Sequence, residues 1–109
     1  MDSDVTGCCQ VTTTLPDQIK AEQLAETLVG ERLAACAQVV GPVSSTYRWK
    51  GKVERASEWY CHLKTTLRRL PLLESRIREL HPYDVPEVIA VPILHGDPSY
   101  LEWIQEVVD

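Results

Sequence analysis

The chain has 109 residues, of which 44% are hydrophobic, and a formal net charge of -5. That is enough chain for one soluble globular domain with a real core. The acidic balance argues against a nucleic-acid surface, which needs a basic patch, and no stretch reads as long and apolar enough to span a membrane.

Arg68, Arg69, Arg76 and Arg78 interleave with Glu74 and Glu79, the pattern of a solvated helix face. Met1-Asp2-Ser3-Asp4 lacks the basic start and apolar stretch of a secretion signal, so a cytoplasmic location is expected. Cys8, Cys9, Cys36 and Cys61 form no C-x-x-C pair and no zinc-type spacing, and are expected to be buried, reduced thiols.

In chain order, residues 1–7 read as a flexible tail. Cys8 to Thr14, rich in Val and Thr, suits a buried strand. Pro16-Asp17 opens a helix with Asp17 as its cap, and Ala21, Leu24, Ala25 and Leu28 form its apolar stripe. Gly30 weakens the last turn. From Val39 to Thr66 the pattern is almost entirely strand, with breaks expected at Gly41-Pro42 and Lys50-Gly51. Pro71 marks the start of a second helix with Leu70, Leu73, Ile77 and Leu80 toward the core. Val88 to Ile93 is the next strand, where Pro92 limits hydrogen bonding on one side. Asp97-Pro98 caps a final helix with Leu101, Ile104 and Val108 on its apolar side. Strand, helix, strand, strand, helix, strand is the split βαβ, or ferredoxin-like, pattern of an α+β domain. It predicts a four-stranded antiparallel sheet, a long β-hairpin and an added C-terminal helix in a single unit over residues 1–109.

Two segments carry the functional information. In His81-Pro82-Tyr83-Asp84-Val85-Pro86-Glu87 two prolines stop the helix and push the residues before them toward extended geometry. His81, Tyr83, Asp84 and Glu87 are thereby held in a fixed relation, as a site or as a rigid crossover. The second segment is the hairpin around Lys50-Gly51, where glycine supplies a positive φ. An arm of about 14 residues extends roughly 45 Å, against a radius of gyration near ~13 Å for a compact chain of this length. Such an arm cannot lie entirely on its own core, and it carries Tyr47, Trp49, Trp59 and Tyr60. Aromatic area of that size favours cover by another copy, so a closed homo-oligomer is expected.

With those residues in view, the chain resembles the CutA divalent-cation-tolerance family. The resemblance runs in order through Thr13-Thr14-Leu15-Pro16-Asp17, Glu31-Arg32-Leu33-Ala34-Ala35-Cys36 and Tyr47-Arg48-Trp49-Lys50-Gly51-Lys52. It continues through Leu63-Lys64-Thr65-Thr66, the His81 to Glu87 run, and Gly96 with Tyr100-Leu101-Glu102-Trp103. It implies a ferredoxin-like subunit in a homotrimer with interlocked hairpins, a cytoplasmic location in bacterial-type members, and a link to copper and other divalent metals. The trimer is similar in fold to PII-type signalling proteins. In some bacterial members the proposed ligands are a first-strand cysteine and two adjacent histidines; Thr13 and Leu80 stand at two of those positions here, and His81 at the third.

The resemblance therefore leaves His81, Glu87 and Cys36 as candidate ligands for a weakly held divalent ion such as copper. Lys64, Tyr83, Trp49, Tyr47 and Arg48 are the candidate lining of clefts between subunits. A trimeric signalling or scaffold module taking a small ligand or a protein partner is the alternative. Each residue also has a structural reading. His81 suits a helix C-terminus, Glu87 a partner for Lys64, Cys36 the core, and Tyr83 and Trp103 packing. His62 and His95 match no ligand spacing. Enzyme readings fare worse: the five glycines, at 7, 30, 41, 51 and 96, form no phosphate loop, and no catalytic Ser-His-Asp order is defensible.

Overall fold

The structure, a computed structural model, describes residues 6–108. The elements are β1 (Cys8–Leu15), α1 (Gln18–Gly30), β2 (Cys36–Trp49), β3 (Lys52–Thr66), α2 (Leu70–Leu80), β4 (Val88–Pro92) and α3 (Pro98–Val107). The strands form one sheet in the order β2-β3-β1-β4, with every neighbouring pair antiparallel. This is the expected ferredoxin-like α+β fold.

Local chemistry explains the helix ends. The Asp17 carboxylate accepts from the Lys20 N–H at 2.8 Å and starts α1. Asp97 accepts from the Tyr100 N–H at 3.1 Å and starts α3. α1 ends without a glycine in the left-handed position. Arg32 takes φ 61°, while Arg32 N–H donates to Val29 O and Leu33 N–H to Leu28 O, closing a Schellman motif. At the hairpin tip both Lys50 (φ 51°) and Gly51 (φ 80°) have positive φ, as a turn matching the strand twist requires.

Strand alternation sorts the sheet into two faces. Cys9, Val11, Leu15, Cys61 and Leu63 point to one face and meet Leu24, Leu28, Leu73 and Ile77 of α1 and α2 in the main core. Leu80, expected in that core, is 38% exposed, because α2 ends there and the chain turns away. α3 packs on the opposite face at one end of the sheet, where Cys8, Ala35, Ile104 and Val108 make a second, smaller core. Beyond α3 this second face has no covering element among the described residues: Gln38, Val40, Tyr60, His62, Lys64, Gln10, Thr12, Ile89 and Val91 lie in adjacent register along it.

The strand does not break at Gly41-Pro42. β2 continues through it with a register irregularity between Val40 and Val43, and Gly41 lies against the Trp59 ring. Pro42 and Pro92 are tolerated because β2 and β4 are the edge strands. Thr6 and Gly7, read as part of a tail, are tied down: the Thr6 hydroxyl donates to Ile93 O, and Gly7 O accepts from the Leu67 N–H. The remainder of the expected tail, residues 1–5, lies outside the described residues.

Candidate functional site

β1 pairs with β3 only up to Leu15↔Trp59, so the hairpin from Ser44 to Ser57 overhangs the four-stranded part of the sheet. The loop from His81 to Glu87 passes beneath the end of β1 and meets the root of this overhang. His81 is buried there (9% exposed), and both of its ring nitrogens are committed. Nδ1 accepts the Tyr83 N–H at 3.1 Å, which leaves the ring proton on Nε2 to be donated to Thr14 O at 2.8 Å. The His81 and Tyr83 rings lie 4.8 Å apart. The Tyr83 hydroxyl in turn donates to Glu58 at 2.7 Å. Burial pushes the His81 imidazole below the usual histidine range. Burial, with the Glu58 carboxylate alongside, pushes the Tyr83 phenol well above its usual range. The result is a chain of hydrogen bonds, Thr14–His81–Tyr83–Glu58, that locks the crossover.

The three candidate metal ligands are not brought together within the subunit. Cys36 lies at the far end of β2, opposite Lys64, with its Sγ 3.4 Å from the Tyr100 hydroxyl. That hydrogen bond pushes Tyr100 up to about 12. Cys36 is half-buried rather than part of the core. Glu87 is exposed just before β4, and its charge is felt by His62. His81 has no free lone pair to give an ion. Among the described residues no group of three His, Cys, Asp or Glu side chains is placed to hold a metal. The remaining thiols do not fill the gap, since burial pushes Cys9 and Cys61 up to about 11 and so disfavours the thiolate a metal requires.

The cleft residues divide in the same way. Tyr47 lies close enough to Tyr83 for the two phenols to interact electrostatically. Arg48 and Trp49 are further out on the exposed arm, and Lys50 sits 6.0 Å over the Trp49 ring. Lys64 is elsewhere, donating to Gln38 Oε1 at 2.7 Å, so the Glu87–Lys64 pair does not form. Sequence reasoning passed over Glu58 and Thr12. The signal for Glu58 was the alternation Glu58, Tyr60, His62, Lys64, which puts its carboxylate on the β3 face turned away from α1 and α2. Thr12 is visible only through the register that brings its Oγ1 to 2.9 Å from His62 Nδ1.

The family model for "CutA1 divalent ion tolerance protein" matches residues 9–107. The chain is 44% identical to the divalent-cation tolerance protein CutA of Thermus thermophilus, covering 88% of this chain and 93% of that one. The crystal structure of CutA from Xylella fastidiosa superposes with a TM-score of 0.92 at 40% identity, over 94% of this chain and 99% of that one. A CutA from Archaeoglobus fulgidus, described as a periplasmic divalent cation tolerance protein, gives a TM-score of 0.90 at 31% identity, over 94% and 99% of the two chains.

Proposed function

Because this chain belongs to the CutA divalent-ion tolerance family, we propose that it serves divalent-cation tolerance as a self-associating, non-enzymatic trimer assembled through its hairpin arms. The overhanging arm carries this reading. Tyr47 is 44% and Trp49 48% exposed, and the open sheet face behind them adds Val40, Ile89 and Val91, each half exposed or more. Apolar area on that scale next to two unpaired strand edges suits a covered surface. We assign the protein to the cytoplasm, where its four unbridged cysteines stay reduced. No helix among the described residues is long and apolar enough to cross a membrane.

The residues present do not fit a resident copper ion held by one subunit. Soft or borderline ions need several imidazole, thiolate or carboxylate donors converging on one point, and the three candidates stand apart. Glu87 and Cys36 are left as separate, weak contacts for an ion. The exposed aromatic and basic arm also supports the scaffold reading, in which clefts between copies take a ligand or partner through Tyr47, Arg48 and Trp49.

The test is calorimetric titration of the metal-free, reduced protein with copper, beside His81→Ala. The expected result is weak binding that is the same in both proteins. Tight, saturable binding in simple ratio to subunits, abolished by His81→Ala, would overturn this account of the metal.

A further inference from the structure

Glu58 is the buried charge that the subunit leaves without a counterion. It is 8% exposed, and its one hydrogen bond among the described residues is from the neutral Tyr83 hydroxyl. A carboxylate has about four acceptor sites, and burying one without a cation is costly. The chain's own cations are badly placed to help. Lys52 and Lys64 share the Glu58 face of β3, but each is six residues away, roughly 20 Å along the strand. Arg55 is nearer but alternates to the opposite face.

The arm shows the complementary excess. Arg48, Lys52 and Arg55 are exposed and make no hydrogen bond or ion pair among the described residues. Register places Thr46 opposite Arg55 and Arg48 opposite Val53, so the two guanidiniums share one face of the arm. Glu58 lies on the other face, with Val43, Tyr47 and Trp49. Glu58 on one face and these two guanidiniums on the opposite face cannot meet within one arm or in a two-fold contact of like surfaces. They meet when one arm lies on the next copy head to tail, an arrangement that forms a ring when its rotation closes.

We propose that Glu58 of one copy receives an arginine, Arg48 or Arg55, from the arm of a second copy of this chain. The proposal rests on the self-association argued above and specifies its charge pairing. A guanidinium suits the site better than an ammonium, because its planar fork engages both carboxylate oxygens while Tyr83 holds the flank.

Sedimentation of the full chain in 0.05 and 0.3 M salt tests this, with far-UV circular dichroism to check folding. Glu58→Gln is expected to weaken association about thirtyfold or more and to flatten its salt dependence. Paired Arg48→Gln and Arg55→Gln, at exposed positions outside the subunit core, should do the same without touching the buried site. Glu58→Arg should abolish assembly, and adding Arg48→Glu and Arg55→Glu to it should restore assembly. A wild-type oligomer that either neutral variant reproduces in affinity and salt response overturns the pairing and leaves self-association standing. A monomeric wild type overturns self-association itself.

Discussion

At His81 a single imidazole is held at both ends, by Thr14 O and by the Tyr83 N–H, and is nearly sealed from water. Its folded state favours the neutral ring, because burial disfavours the imidazolium. Half-buried His62 is biased the same way, first by burial and then by Lys64. A histidine pKa depressed on folding contributes stability that is fully present above the ordinary value near 6.5 and lost as pH falls through the folded value. Unfolding free energy, measured by denaturant titration between pH 7.5 and 5, should therefore decline below about 6.5. His81→Ala should lower stability by about 1–3 kcal/mol at pH 7.5 and make that decline shallower. An unchanged pH slope in the variant would remove His81 from this role. The sequence placed His81 correctly at a helix end, but its partner Thr14 is 67 residues away, and no local pattern reports such a contact.

Among the elements, those specified by local chemistry were legible. The caps Asp17 and Asp97, the start of α2 beside Pro71 and the Lys50-Gly51 turn all follow from a few neighbouring residues. The β2 segment was not, because Gly41-Pro42 looks like a stop in one dimension. Pairing with β3 carries the strand through, at an edge where proline's missing N–H is tolerated. Glycine is needed there for space rather than for φ: a Cβ at position 41 would sit 2.5 Å from the Trp59 ring. Gly41→Ala should accordingly cost about 1–3 kcal/mol through displacement of Trp59, seen as a lower melting temperature and altered tryptophan fluorescence. Wild-type stability in this variant would show that Trp59 moves aside freely.

For the whole molecule, the subunit's longest dimension is 43 Å against a shortest of 22 Å, with a radius of gyration of 14.5 Å, as expected of a domain carrying an overhanging arm. The proposed trimer predicts an unfolding temperature that rises with protein concentration. Trp49→Ala should weaken association by about 2 kcal/mol, the usual cost of losing an aromatic anchor, while leaving the far-UV spectrum of the subunit intact. Equal melting temperatures across a hundredfold range of concentration would argue for an independent subunit.

The order of strands and helices, their caps, the hairpin tip and the family were all readable from the chain alone. Each is encoded by neighbouring residues or by ordered motifs such as Tyr47-Arg48-Trp49-Lys50-Gly51-Lys52 and His81 to Glu87. What the tertiary structure decided was which distant side chains meet. Strand pairing and helix docking put Cys36 beside Tyr100, His81 on Thr14 O and Glu87 at the exposed approach to β4, so the residues read as one ligand set fall in three places. The physical reason is that strand pairing and helix docking, summed over the whole core, set the distances between residues far apart in the chain. A one-residue change in register would reverse every face on which those side chains lie.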